Sequence, residues 1–158
     1  MQIELWQIGK TKFLYIEEGV EIYVKRLKHF CKFSMNTIKE TDHNRKTKKE
    51  HIQNSDCTNI LNKIKDNHFI VLLDEKGKEL DSIQFSKYIE RKELELGRRT
   101  LVFIIGGAYG CNRELRKASH GIISLSKMTF SHQMIRLFFV EQLYRAYTIK
   151  NGHSYHNV

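Results

Sequence analysis

Proline is absent from this 158-residue chain. Turn-making therefore falls to Gly, Asn, Asp and Ser, and no proline-rich linker divides the sequence. Cysteine is scarce. Cys31, Cys57 and Cys111 are odd in number and far apart, and no CxxC occurs, so neither a zinc ribbon nor a disulfide framework is indicated. Free thiols and a cytoplasmic location are expected. No apolar run is long enough to span a bilayer. The opening Met1-Gln-Ile-Glu-Leu-Trp6 lacks a basic stretch ahead of an apolar one, so no signal peptide is expected. Repeats and low-complexity stretches are also missing. What remains, 41% hydrophobic and 28% charged residues, suits one globular domain over 1–158.

Acidic residues are too few to balance the basic ones: 27 Lys and Arg against 18 Asp and Glu, a formal charge of +9. Such an excess favours a polyanionic partner, with nucleic acid the leading class. The basic clusters are Lys25-Arg26-Leu-Lys28, Arg45-Lys46-Thr-Lys48-Lys49 and Arg98-Arg99. Any one of them reads equally well as solvated surface. The total excess is harder to dismiss.

Periodicity gives an alternating α/β order. Residues 2–8 read as a strand, 13–31 as an amphipathic helix through Ile16, Val20, Tyr23, Val24, Leu27 and Cys31, and 32–38 as a second strand. The polar stretch 42–56 reads as an exposed loop merging into a helix that ends near Lys65. His68 to Asp74 is a continuous apolar run of the kind buried on both faces, followed by a turn at Glu75–Lys78. A helix over 81–96, capped by Asp81 or Ser82 and closed by Gly97, leads to a strand at 100–105. A short helix follows from Asn112 to Ser119, then a strand at 121–125 and a C-terminal helix over 131–150. This order predicts a mostly parallel sheet with helices on both faces.

Chemistry-bearing residues concentrate late in the chain. Gly106-Gly-Ala-Tyr-Gly110 lies between a buried strand and a helix, where glycine lets the backbone turn and approach a ligand. A dinucleotide site wants GxGxxG early, with an acidic residue about 20 positions on; this motif is late and differently spaced. Leu125-Ser-Lys-Met-Thr-Phe130 leaves a strand for a helix. Its hydroxyls and amides suit the polar edge of an adenine, and Met128 and Phe130 suit its face, although Ser126, Thr129 and Ser131 serve equally as helix caps. The last helix pairs His132 with Arg136 and Glu141 with Arg145 at i,i+4, amid apolar residues. Glu141–Arg145 reads as readily as a structural salt bridge. His153, Tyr155 and His156 close the chain with general acid–base types, against the expectation that tails fray. Metal binding is not expected, because no carboxylate or cysteine lies near these histidines.

Taken together, Gly106-Gly-x-x-Gly110, Leu125-Ser-x-Met-Thr-Phe-x-His132, Arg136, Glu141-Gln-x-Tyr-Arg-Ala146 and Gly152-x-x-Tyr-His156 resemble the RlmH family, the ribosomal RNA large subunit methyltransferase H proteins of the SPOUT class. The resemblance implies a SPOUT-like α/β sheet whose C-terminal segment forms a trefoil knot, and a homodimer whose C-terminal helices pack together. It implies S-adenosyl-L-methionine as donor, held by Leu73, Gly106, Leu125, Ser126, Lys127, Met128, Thr129 and Phe130. The implied acceptor is N3 of a pseudouridine in helix 69 of 23S ribosomal RNA, on the assembled 70S ribosome. Neither a membrane nor a metal takes part. The chain departs from the pattern at Ser131, at Cys111 and across 39–60.

N3 carries a proton between two carbonyls, so methylation needs a base or a cation to stabilise the anion. His132 or His156 is the candidate base, Arg145 the cation, and Tyr155 a group that positions or stacks on the nucleotide. Lys25, Arg26, Lys28, Arg45, Lys46, Lys48 and Lys49 are candidate phosphate contacts. A dehydrogenase-type enzyme and a non-catalytic RNA-binding protein are the rival readings.

Overall fold

A computed structural model describes residues 1–156. Its strands alternate side chains between two apolar layers. Strand β1 (Gln2–Ile8) sends Ile3 and Leu5 to one layer and Trp6 and Ile8 to the other. Strand β3 (His68–Glu79) divides Val71 and Leu73 from Ile70 and Leu72 in the same way. Strand β4 (Thr100–Ile105) does so with Leu101, Phe103 and Ile105 against Val102 and Ile104, and all its residues are buried. Burial on both faces is the physical meaning of the continuous apolar runs. With β2 (Lys32–Ile38) and β5 (Gly121–Ser124), these form one five-stranded parallel sheet in the order β2-β1-β4-β3-β5.

Helices α1 (Leu14–Leu27), α3 (Ser82–Leu96) and α5 (Met134–Lys150) cover one face. Helices α2 (Lys49–Leu61) and α4 (Arg113–Ala118) cover the other. The α/β expectation with helices on both faces therefore holds. Helix α5 packs against both α1 and α3. Phe139 of α5 and Phe103 of β4, both fully buried, meet with ring centroids 4.7 Å apart. Burying each such side chain contributes about 1.5–3 kcal/mol. Asp81 caps α3 in a reciprocal box with Gln84, and Gly97, at φ +54°, ends it.

Several boundaries differ from the sequence reading, and α5 begins at Met134 rather than residue 131. The first helix stops at Leu27 rather than residue 31, although Cys31 still packs on the core and so extends the apolar period. Helix α2 stops at Leu61, short of Lys65. Glu75–Lys78 is not a turn. It belongs to β3, which bulges after Leu73 and rejoins β5 at Lys78, so that Ile123 pairs with both Leu73 and Lys78. A Cβ on Gly77 would stand 2.6 Å from the Ile123 carbonyl carbon, so only glycine lets the bulge lie against β5. Among the described residues, no helix is long and apolar enough to cross a membrane.

Candidate functional site

The bulge of β3 and the C-terminal ends of β4 and β5 border a cavity of about 900 Å³, on the side where an open parallel sheet places its ligands. Leu73, at the β3 bulge, and Ile105, at the end of β4, line it. One wall is the loop after β4. There Gly110, at φ +73°, returns the chain so that its amide donates to the Gly107 carbonyl at 3.0 Å. A Cβ on Gly106 would meet the Gly110 carbonyl carbon at 2.9 Å and Cys111 Sγ at 3.0 Å, so the fold of this loop requires the missing side chain. The other wall is the segment after β5, with Leu125, Ser126, Met128, Thr129, Phe130, Ser131 and His132. Ser126 Oγ accepts from the Met128 amide at 2.9 Å, and Thr129 Oγ1 donates to Glu75 Oε2 at 2.6 Å. Of the three hydroxyls read as possible helix caps, only Ser131 reaches the start of α5, accepting from the Met134 amide.

Seven of the eight residues expected to hold the donor therefore line one cavity. The eighth, Lys127, does not: its side chain is 83% exposed and turns to Glu79 at 3.3 Å. Sequence reasoning missed Asp74, Arg116, Gln53 and Tyr109 in the lining. Arg116 bonds the Cys111 carbonyl at 3.2 Å and Asp74 Oδ2 at 2.5 Å, tying the loop after β4 to the bulge of β3. Burial pushes the Cys111 thiol up to about 12, so the cavity holds no thiolate nucleophile there.

His132 lines this cavity, and its imidazole is kept below its ordinary pKa by burial first and by the Arg136 cation second. The expected His132–Arg136 side-chain pair is not formed. Arg136 is fully buried and donates to the backbone oxygens of His132 (3.0 Å) and Ile8 (2.7 Å) and to Thr11 Oγ1 (3.1 Å). Next to it, buried Gln133 accepts from the Lys12 amide at 2.9 Å and donates to the Lys10 carbonyl at 3.3 Å. The two residues clasp the loop after β1 to the start of α5 and so fix where His132 stands. Burial lowers the Arg136 pKa to about 10, which leaves the cation charged at neutral pH.

The remaining acid–base residues assemble elsewhere. Glu141 Oε1 accepts from Arg145 Nη2 at 2.6 Å and from the Tyr155 hydroxyl at 3.0 Å. Arg145 Nη1 lies 3.3 Å from His156 Nδ1, and its guanidinium sits 4.7 Å from the Tyr155 ring centroid. Tyr155 also meets the Tyr23 hydroxyl at 3.2 Å. The tail up to His156 is thus tied back onto α1 and α5 rather than frayed. Burial opposes the Arg145 cation, but the Glu141 carboxylate outweighs it and raises the pKa. Burial also raises the Tyr155 phenol, helped by its bonds to Tyr23 and Glu141. Arg145 is therefore a firm cation and Tyr155 a neutral donor. Arg145 lies about 16 Å along α5 from the end that borders the cavity, at 1.5 Å per residue. The structure does not bring Arg145, Tyr155 and His156 to His132 within one chain.

The basic residues divide between the two regions. Lys25, Arg26 and Lys28 are exposed on and beside α1, with Arg26 about 5.5 Å from the Tyr23 ring, next to the Arg145 cluster. Arg45, Lys46 and Lys48 are exposed ahead of α2 and Lys49 is exposed at its start, with Lys49 Nζ 5.9 Å from the Tyr109 ring at the cavity. Among the described residues, no group of three or more His, Cys, Asp and Glu side chains is placed to hold a metal ion.

A five-stranded parallel sheet with helices on both faces is consistent with the SPOUT class. Residues 1–156 match the family model described as "Predicted SPOUT methyltransferase", and the chain belongs to that family. Within it, the chain is 43% identical over 157 residues to the ribosomal RNA large subunit methyltransferase H of Cytophaga hutchinsonii, covering 99% of this chain and 100% of that one. The proteins of the same name from Parabacteroides distasonis and Phocaeicola vulgatus are each 45% identical over 157 residues, covering 99% of both chains. The RlmH group, read first from the motifs, is thus its place in the family.

Proposed function

We propose that this protein methylates N3 of a pseudouridine in helix 69 of 23S ribosomal RNA, using S-adenosyl-L-methionine and acting as a cytoplasmic homodimer on the assembled 70S ribosome. The observation that carries the reading is the cavity bounded by Gly106–Gly110 and Leu125–His132, the same segments that carry the family likeness. Its volume fits a small-molecule cofactor, within the range of about 300–1,000 Å³ for such sites. Its lining fits this donor: Leu73, Leu125, Met128 and Phe130 for apolar contact, Ser126 and Thr129 with loop amides for polar edges, and a bare Gly106 backbone for close approach. When bound, the donor supplies an electrophilic methyl group.

The protein's own part is placement, exclusion of water and removal of the acceptor proton. Leu73, Met128 and Phe130 shield the reacting space. Arg145, held charged by Glu141, offers a cation for the anion that forms when N3 loses its proton, and His132 or His156 takes that proton. The distance between the cavity and the Arg145 cluster in one chain supports the homodimer, in which one subunit's cluster completes the other's cavity. Exposed Met128, Phe130 and Phe138 beside the cavity supply apolar surface for that contact. The knotted path of the C-terminal segment belongs to the same reading.

Ribosomes lacking the modification, incubated with the protein and labelled S-adenosylmethionine, should gain one methyl group in helix 69, located by mass spectrometry of the excised fragment. Calorimetry should show saturable binding of S-adenosylmethionine and none of NAD. Sedimentation should give a dimer, and Phe138→Asp a monomer that binds donor without turnover. The same distance would favour the RNA-binding reading if the wild-type protein sedimented as a monomer and bound ribosomes without methylating them.

A further inference from the structure

The Leu125–Phe130 wall, Leu73 and Gly106 account for the donor, yet the cavity has a further side built by α2. Gln53 Nε2 donates to the Tyr109 carbonyl at 2.6 Å. Asn54 Oδ1 accepts from Asn112 at 3.0 Å, and Cys57 Sγ accepts from the Asn112 amide at 3.2 Å. The buried Asp56 accepts from the amide and hydroxyl of Thr41 at 2.8 and 2.6 Å, while its other oxygen fills the space where Gly107 would carry a Cβ. Helix α2 therefore joins the glycine loop to the segment that leads into the Arg45–Lys49 run. At this junction Tyr109 is 38% exposed, lines the cavity and has the Lys49 ammonium near its ring.

A basic run that ends at an exposed aromatic ring is the pattern that holds single-stranded nucleic acid, with phosphates on the cations and a base on the ring. We infer that Tyr109 is a base-stacking residue of the RNA site: the strand runs over Arg45–Lys49, and a nucleobase at the cavity mouth stacks on the Tyr109 ring. This rests on the methyltransferase reading above. Gln53 is a positioning residue here, since it fixes the backbone that carries the ring.

The test compares wild type, Y109A and Y109F in steady-state methylation of unmodified ribosomes and in calorimetric titration with S-adenosylmethionine. Removing a base–aromatic stack should lower kcat/KM for ribosomes about 5- to 150-fold. Donor Kd should stay within about twofold, and Y109F should recover most of the loss because the ring is what stacks. Unchanged kcat/KM in Y109A would overturn the inference. So would a loss matched by weaker donor binding, which would put Tyr109 in the donor subsite instead. If the wild-type protein methylates no ribosomes, the methyltransferase reading fails. Fluorescence of a 2-aminopurine-labelled single-stranded RNA then decides the stacking separately: quenching by wild type that Y109A loses supports it, and equal quenching by both refutes it.

Discussion

The cavity at the strand ends and the Arg145 cluster on α5 are built on opposite plans. The cavity is made of backbone: a glycine loop, a bulged strand and a loop pinned by its own hydroxyls, with side chains used mainly to exclude water. The cluster is made of side chains alone, a carboxylate, guanidinium, phenol and imidazole bonded to one another on a helix and its tail. A site of the first kind is formed before its ligand arrives. One of the second kind, with its groups already satisfied by each other, needs a substrate or a second chain to give it a task. The cavity therefore reads as the place of binding and the cluster as the place of charge handling.

Arg145→Ala should break the comparison most sharply. Turnover should fall by roughly 10²–10³, the usual effect of deleting one charge-stabilising donor, while donor affinity stays as in wild type; single-turnover methylation and calorimetry read the two effects apart. Gly106→Val is the reciprocal change. Its side chain would be driven into Gly110 and Cys111, so donor affinity should drop by an order of magnitude or more, with about 1–3 kcal/mol lost from denaturant stability. The Glu141–Arg145–Tyr155 bonds should persist, as the Tyr155 titration would show. If Gly106→Val left donor binding intact, the cavity would not be the donor site.

Replacing Arg45, Lys46 and Lys48 by Gln should weaken ribosome binding and lower the slope of log K against log salt by about 0.7–0.9 for each phosphate that is no longer neutralised. An unchanged slope would remove these residues from the RNA footprint. The smallest effect concerns pH. Burial lowers the pKa of both His132 and His68 in the folded chain, so the unfolded chain binds these protons more tightly. Stability is then fully present above the unfolded value of about 6.5 and falls as pH drops through it and on through the folded values. Urea midpoints at pH 7.5 and pH 5.5 should show the decline, and His132→Gln should reduce it. A midpoint independent of pH would contradict the burial of both rings.

The fold was legible wherever an element's own residues decide it. The apolar runs of β3, β4 and β5 announced strands covered on both faces, and Asp81, Gly97 and Asn112 marked helix ends through their own caps. The bulge at Glu75–Lys78 was not legible. Its polar residues look like a turn, and only the neighbouring β5 shows that they continue a strand. The two segments that wall the cavity could be read because each follows an apolar strand directly. Tyr109 and Gln53 escaped notice because they meet across 56 positions in sequence, and nothing local to either predicts the other. Arg136 was noticed, but its burial was not foreseen, because two of its acceptors are backbone carbonyls that leave no trace in composition.

That guanidinium has a consequence for how the molecule comes into being. Its acceptors lie on Ile8, Thr11 and His132, so it joins the end of β1 to the start of α5 across 128 positions of sequence. During synthesis, β1 must wait for almost the whole chain before the clasp can close. Until it does, the segment after β5 has no anchor at its far end, and the cavity lacks a wall. A nascent chain stalled before α5 can hold most of the sheet and still lack the finished cavity. The finished shape of the cavity thus depends on a contact between segments that lie far apart in sequence.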